Sequence, residues 1–591
     1  MYLKVVKSKG YEYLKFVESY REGKQVKQRV IANLGRLDIL LKHNVLIEKL
    51  FEKLNNGNFF KLDDLNKDGE ADVYNYGYII IKKIWDSYKL NEFFEMILEK
   101  KNINKSYNVI KTIFSLVINR ALKSELSKLG YFNNKEYFIG LNEDLKLHNI
   151  YNSLEVLEEI KDELEDYLLK KSINLFNRDI TVAFFDVTTL YFESKKEDED
   201  IEIKDNKNNK EAIEIKKGLR KFGLSKDFKI NETQIVLSLL IDKNGIPITF
   251  EVYEGNRAET TTLIDALDRL KKRFNIEKIT VVADRGISRW LNLKEIKNKG
   301  YEYIVAIRFK NQKDLEKEIL DKENYNLISF DEKNGYYGYK EFIITQEKKV
   351  KIKNEKNSSK FEDITLTHKI ISTYSDKRAL KDEKDRNRAI EKLQKKLQNG
   401  SAVKKSKYIK ILKSNEDNNN DKCSLKYEID LNKIQEDKKY DGFYAIASSD
   451  VSISALEAIK IHKNIYEVEN SFRDLKSSLN IRPIYHFKKE RIKGHIIVSF
   501  LSYFLLKNIE YKLKNSKKIQ KFLNDNNETL SLDKIVKAIN SFNVVKTNLN
   551  NNSIFIKLKH NTLASKIVNI LKIKLPKNTQ TNEEFFNFLK L

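Results

Sequence analysis

Apolar and polar residues alternate over about the first 36 positions, in YEYLKFVESY and again in QVKQRVIANLG, with REGK between them. A period of two with a polar break predicts a half-buried β-hairpin. From about Leu37 to Leu175 the period lengthens to 3.6, as in VIKTIFSLVINRALKSELSKLG and SLEVLEEIKDELEDYLLKKSINLF, and this predicts a helical domain. At Ile180 the texture changes again. ITVAFFDVTTLYFES is a continuous apolar run with Thr and Tyr, the composition of a buried strand. A charged, Asn-rich stretch from Lys195 to Lys216 interrupts it, and then TQIVLSLLID and PITFEVYEG follow, joined by KNGI. Asn-Gly takes up the positive φ angles of a tight turn, so Asn244-Gly245 predicts that these two strands pair antiparallel.

Next come an amphipathic helix (AETTTLIDALDRLKKRF), a strand (KITVVADRG), a helix (RWLNLKEIKNKG) and a strand (YEYIVAIRF). Three strands, helix, strand, helix, strand is the order of an RNase H-like sheet. Residues from about Lys310 to Lys439 break that order with short strands, a highly charged helix from Asp376 to about Gln398, and the tract KSNEDNNNDK. They read as an inserted subdomain with a flexible tip. The chain resumes with GFYAIASS, a long helix from about Ser454 to Leu479, and RPIYHFKKERIKGHIIVSFLSYFLL, and beyond Lys512 a helical, Asn/Lys-rich tail is expected.

Length and charge narrow the function. A chain of 591 residues has room for about four domains, and 111 Lys+Arg against 86 Asp+Glu leave a net charge of +25, which points to a polyanionic partner. Residues 1–40 carry +5 and residues 481–520 carry +8. Abundant Lys, Asn and Ile with only 3 prolines suggest an AT-rich genome, so part of the lysine excess reflects codon usage. The single cysteine, Cys423, excludes a disulfide framework and a cysteine-ligated zinc finger and agrees with a reducing cytoplasm. HIIVSFLSYFLL is too short to span a bilayer, so no membrane partner is expected. The chain has no GxxxxGK[ST] loop and no HExxH. Tyr485 lacks the Arg/His constellation of a tyrosine recombinase, and His486 and His495 read as packing or phosphate contacts.

Carboxylates are the stronger candidates. Asp186 lies in the first buried strand and Asp284 closes ITVVA before a sharp exit at Arg285-Gly286. Either alone is ordinarily a turn residue satisfied by backbone amides. Together, at the ends of neighbouring strands in an open sheet, they make half of a divalent-metal site. A third ligand would come from the helix IYEVENSFRDLKSSL, which offers Glu467 and Glu469. Glu469, Phe472, Arg473 and Lys476 fall at i, i+3, i+4 and i+7 on one face, while Glu467 lies about 200° away and is expected to face solvent. The same spacing also suits a surface ion-pair ladder. Three hard-oxygen ligands fit two-metal phosphoryl transfer on Mg2+ or Mn2+, with no side-chain nucleophile.

FDVTTLYFES, FGLSKDFKINETQIVLSLLID, GIPITFEVYEGN, VVADRGISRWLNL and YEVENSFRDLKSSLNIRPIYH, in this order and spacing, resemble the bacterial DDE-type insertion-sequence transposases, in the branch with a β-rich insertion in the catalytic domain. VIANLGRLD and SDKRALKDEKDRNR look similar as well. The resemblance implies that Asp186, Asp284 and Glu469 form a metal-binding triad for two Mg2+ or Mn2+ ions. Lys476 then matches the lysine of the family's Tyr-Arg-Glu-Lys signature, with His462 and Ile465 where its tyrosine and arginine stand, so that Tyr466 or Arg473 would take over their contacts.

The implied activity is metal-dependent DNA cleavage and strand transfer in cut-and-paste transposition; a catalytically idle DNA-binding derivative or a plain nuclease is the alternative. The implied partners are double-stranded DNA, terminal inverted repeats and target DNA, held by a dimer in the cytoplasm at the nucleoid. Arg473, Lys476, Lys488, Lys489, Arg491 and Lys493 are the expected DNA contacts. The expected architecture is α/β. A basic hairpin (1–45) and a helical DNA-binding domain (46–175) precede an RNase H-like catalytic core, a mixed sheet flanked by helices, in two parts (176–309 and 441–510). A β-rich inserted subdomain (310–440) separates those parts, and a helical tail (511–591) closes the chain.

Overall fold

The computed structural model describes residues 2–8, 10–22, 25–38, 72–123, 137–141, 146–176, 178, 180–205, 212–257, 262–267, 279–283, 288–353, 359–399, 406–412, 426–549 and 552–590. Its strands, in chain order, are β1 (Tyr2–Ser8), β2 (Tyr11–Glu22), β3 (Gln25–Arg36), β4 (Asp72–Asn75), β5 (Val182–Tyr191), β6 (Ile201–Asp205) and β7 (Ala212–Lys216). They continue as β8 (Gln234–Asp242), β9 (Pro247–Glu254), β10 (Thr280–Ala283), β11 (Glu302–Ala306), β12 (Asn326–Asp331), β13 (Gly335–Lys353) and β14 (Ser359–Ser375). The last are β15 (Ile409–Leu412), β16 (Lys426–Ile429), β17 (Phe443–Ser448), β18 (Asn543–Leu549), β19 (Asn552–Lys557) and β20 (Thr579–Thr581). The chain forms two compact units that cut across the six expected segments: Met1–Asp179 with Val187–Arg257 and Glu467–Leu591, and Ile180–Asp186 with Ala258–Tyr466.

The first unit is organised by the helix Lys489–Lys514, whose residues from Gly494 to Glu510 are all buried. A helix apolar on every side must sit inside a bundle, and this one packs against the helices Ile79–Ser87, Val109–Lys123 and Leu147–Glu159. Gly494 sets the closest approach, since a Cβ there would lie 2.2 Å from the Leu154 carbonyl oxygen. Among the described residues no helix is long and apolar enough to cross a membrane.

Three expectations change in this unit. The N-terminal segment is an antiparallel sheet of three strands, β1-β2-β3, and not a hairpin, because Gly10 (φ +79°) turns the chain between β1 and β2. The stretch from Lys195 to Lys216 contains an antiparallel β6–β7 pair. The tail is not all helical: β18, β19 and β20 join β4 in a four-stranded sheet, tied by the buried Asn75 amide to the Asn540 carbonyl and the Asn543 side chain. β8 and β9 pair antiparallel across Gly245 (φ +75°), as the turn residues predict, and β8 lies next to β5.

The second unit holds a mixed sheet in the order β12-β13-β14-β17-β11-β10-β5. β10 runs parallel to both β5 and β11, whereas β17 is antiparallel to β11 and to β14. The strands expected to be short in the insertion are long: β13 has 19 residues and β14 has 17. They extend this sheet through β14–β17 pairing. The charged helix Asp376–Gln398 follows, capped by the Ser375 hydroxyl on the Arg378 amide. KSNEDNNNDK, the expected flexible tip, and Cys423 lie outside the described residues.

Candidate functional site

Asp186 is the fifth of ten residues in β5, so the strand does not end there as expected but runs on to Tyr191. Its chain neighbours Phe185 and Val187 are buried while Asp186 is half-buried. Asp186 is thus the one half-buried position between Ala183 and Leu190 in an otherwise buried stretch of strand. β10 pairs with β5 in parallel from Thr280↔Val182 to Val282↔Phe184, and its last residue is Ala283. Asp284, expected to close this strand, lies outside the described residues.

The expected single helix from Ser454 to Leu479 is two helices and a wider turn. Ala455–Lys463 is capped by Ser454, Asn464 ends it, and Tyr466–Arg473 leads into a π-helical turn at Asp474–Ser478. Glu469 and Arg473 are exposed, Phe472 is buried and Lys476 is half-buried. Glu467 is not a solvent-facing residue. It is half-buried, with its Oε2 3.2 Å from where a Cβ on Gly245 would stand, and Lys507 Nζ shares that spot at 3.0 Å. Of the signature positions, His462 is buried and Ile465 half-buried, and both line a cavity of about 550 Å3 with Tyr337, Lys377, Arg378 and Tyr444. Tyr466 is exposed.

Lys476 Nζ lies 3.3 Å from Asp227 Oδ1, and Arg482 pairs with the other oxygen of that carboxylate. Burial pushes the Lys476 ammonium pKa down, against the opposing pull of Asp227. Neither Asp227 nor Arg482 is among the residues expected from the sequence. The basic and aromatic residues interleaved in KGLRKFGLSKDFKI are the signal that could have pointed to Asp227.

Two residues before Lys476, Asp474 is pushed up to about 7 by burial, with Glu510 and Asp533 adding to the shift and Lys507 and Arg473 opposing it. A carboxyl raised in the folded state contributes stability that is complete below about pH 4 and is lost as pH climbs toward 7. Asp474→Asn should therefore abolish a decline on the order of 2–4 kcal/mol between pH 4 and 7. Urea unfolding of both proteins at pH 5 and pH 8 checks it, and parallel pH profiles would refute the assignment.

The basic segment after residue 486 is committed differently from expectation. Lys488 and Arg491 pair with Glu155 at 3.0 and 2.8 Å, and Lys493 pairs with Glu158 at 2.7 Å. Glu155 is held below the usual carboxylate range because the hydrogen bonds from Arg491 and Lys488 outweigh the opposing effect of burial. Lys489 is exposed. Three of the four cations can meet phosphate only by giving up these carboxylates. Replacing all four with Ala should flatten the log affinity against log salt slope for duplex DNA by about one unit, near 0.9 for each phosphate that is no longer neutralised. A salt series by fluorescence anisotropy measures this. A flattening of three units or more would show that the ion pairs open on DNA.

His495 is buried packing and not a phosphate contact: its Nε2 is 3.0 Å from the Ile481 carbonyl and its Nδ1 3.3 Å from Arg120 Nη2. Arg120 also donates to the carbonyls of Leu479 and Asn480 at 3.2 and 3.0 Å, which fixes the chain just after the π turn.

Among the described residues no three His, Cys, Asp or Glu side chains are grouped to hold a metal. Asp186 and Glu469 are nonetheless hard oxygen donors with solvent access, and both suit Mg2+ or Mn2+. Comparison with known families finds two matches. Residues 3–58 match the IS1634 family transposase N-terminal domain. Residues 178–505, more than half of the chain, match the transposase DDE domain. No curated protein matches the chain.

Proposed function

Because this chain belongs to the DDE-type insertion-sequence transposases, enzymes that cleave DNA and transfer its strands with divalent metal ions, we propose that Asp186, Asp284 and Glu469 are its metal-holding carboxylates and Lys476 its phosphate contact. The observation that carries this is the parallel register of β10 on β5. Val282 pairs with Phe184, and two residues further along each sequence come Asp284 and Asp186. When bound, a pair of Mg2+ or Mn2+ ions activates water or a 3′-hydroxyl and stabilises the leaving oxygen. The protein's part is to hold charge and position. The stiff apolar strand fixes the Asp186 carboxylate, and the helix Tyr466–Arg473 carries the exposed Glu469 as the third ligand of this reading. Lys476, partly desolvated beside Asp227, offers a cation whose attraction to a phosphate is strengthened by its surroundings.

The antiparallel β8–β9 pair beside β5, followed by β10 and β11 parallel to it, supports an RNase H-like core with the segment 310–440 as its insertion. The N-terminal sheet and the helices between Ile79 and Phe176 would hold the end DNA, in a dimer that brings two ends together in the cytoplasm at the nucleoid. Cut-and-paste transposition is the corresponding pathway.

Purified protein, a duplex ending in the element's terminal inverted repeat, a target plasmid and Mg2+ test this together. Cleaved ends and joined products are expected, lost with EDTA and restored with excess Mg2+. Cleavage without joining would indicate a plain nuclease, and binding without cleavage an idle DNA-binding derivative.

A further inference from the structure

Between the β6–β7 pair and β8, the chain forms a loop whose tip presents large apolar side chains to solvent. Leu224 is 97% exposed, Phe228 89% and Ile230 75%. Three such residues together, rimmed by charge, mark a contact surface. The loop is also firmly held. Ser225 Oγ accepts hydrogen bonds from the Asp227 and Lys229 amides at 3.2 Å each, and the Lys226 amide donates to Thr189 Oγ1 at 3.0 Å. Lys226 Nζ donates to the Val187 carbonyl, which places two anchors on the strand that continues from Asp186. Asp227 binds Lys476 and Arg482, which adds an anchor on the π turn after Glu469. Phe228 itself sits at φ +59°, a conformation that bulky L-residues rarely adopt. Strain of this kind persists only where the surroundings enforce it, and it accompanies function.

We propose that this loop is an apolar wedge that inserts Phe228, flanked by Leu224 and Ile230, into the base stack of the DNA end held at Lys476. The inference rests on the transposase reading above and adds a base-contacting element to it. The occupant follows from complementarity. Residues 217–230 carry five cations and one acid, and Lys229 and Arg482 stack over the Tyr191 ring at 5.2 and 5.6 Å from its centroid. An apolar tip within a cationic rim matches a nucleobase face flanked by phosphates. Inserted Phe, Leu and Ile side chains unstack base steps in this way in other DNA-binding proteins.

The test uses the full-length protein and a terminal-repeat duplex with 2-aminopurine placed in turn at each adenine near the cleavage site. Binding should brighten the probe at one or two positions. A Leu224→Ala, Phe228→Ala, Ile230→Ala triple variant should lose the brightening, bind about 10-fold more weakly with an unchanged salt slope, and cleave more slowly. Because all three side chains are exposed, its unfolding midpoint should match the wild type. Phe228→Trp should retain cleavage and show tryptophan emission quenched on DNA binding. Asp186→Asn should brighten the probe without cutting.

Normal cleavage by the wild type with a silent probe, unaltered in the triple variant, would overturn the wedge alone. A wild type that neither binds nor cuts the end would remove the parent reading. A triple variant that shifts from dimer to monomer without DNA, yet brightens the probe normally, would assign the tip to a second copy of the chain and overturn the proposal.

Discussion

Asp186→Asn is expected to abolish cleavage of insertion-sequence ends while leaving their binding essentially intact. The substitution is nearly isosteric, so β5 keeps its packing, and Phe185 and Val187 stay buried on either side. What is lost is one negative charge where a divalent cation is to be held. Metal ions stabilise several kcal/mol of transition-state charge, so the rate should fall by about 10^3-fold or more, roughly 4 kcal/mol. End-DNA affinity depends on Lys and Arg contacts to phosphate, which this change does not touch. Single-turnover cleavage and gel shift on one preparation separate the two effects. Cleavage at the wild-type rate would remove Asp186 from the site, and parallel loss of binding would give it a structural role instead.

The largest effect on stability is expected at Arg178. Its guanidinium is 1% exposed and donates from Nε to Asp242 Oδ2 at 2.5 Å, with Asp242 fully buried. It also donates to the Ser172 hydroxyl at 3.1 Å and to the Ile246 and Pro247 carbonyls at 2.6 and 3.2 Å. The other Asp242 oxygen accepts from the Asn244 and Ile246 amides at 2.9 Å each, which closes the β8–β9 turn. Arg178→Ala leaves this carboxylate charged and unpaired in the interior and should cost about 3–5 kcal/mol. Arg178→Met combined with Asp242→Asn should recover part of that loss, because the orphan charge is gone while an acceptor remains for the turn. Urea unfolding measures both. A single-variant cost below about 1 kcal/mol would mean that water reaches the pair.

What could be read from neighbouring residues alone followed local rules. Asn244-Gly245 announced a hairpin because the positive φ that Gly245 adopts is a property of glycine and not of its surroundings. The apolar run around Asp186, the helix start near Ser454 and the order of motifs from Asp186 to Lys476 were legible for the same reason. Gly10 was the local signal that was missed, and it divided an expected hairpin into three strands.

Partners distant in the chain were not legible, since periodicity states that a face is buried but not against what. β4 pairs with β18, more than 400 residues later, and so makes a sheet from segments that both read as helical. Lys488, Arg491 and Lys493 resembled a phosphate grip, but Glu155 and Glu158 engage them, because an ion pair depends on distance in space. Glu467 and Glu469 could be ranked by helical angle, yet which one met the Gly245 turn depended on what packed beside the helix. Composition and motif order were thus enough to indicate the chemistry, divalent-metal-dependent cleavage and transfer of DNA strands. The folded chain decided which charges are already neutralised, which apolar residues stay in water at the tip near Phe228, and which acid is desolvated at Asp474, because each of these is a balance of solvation and proximity that exists only once distant segments meet.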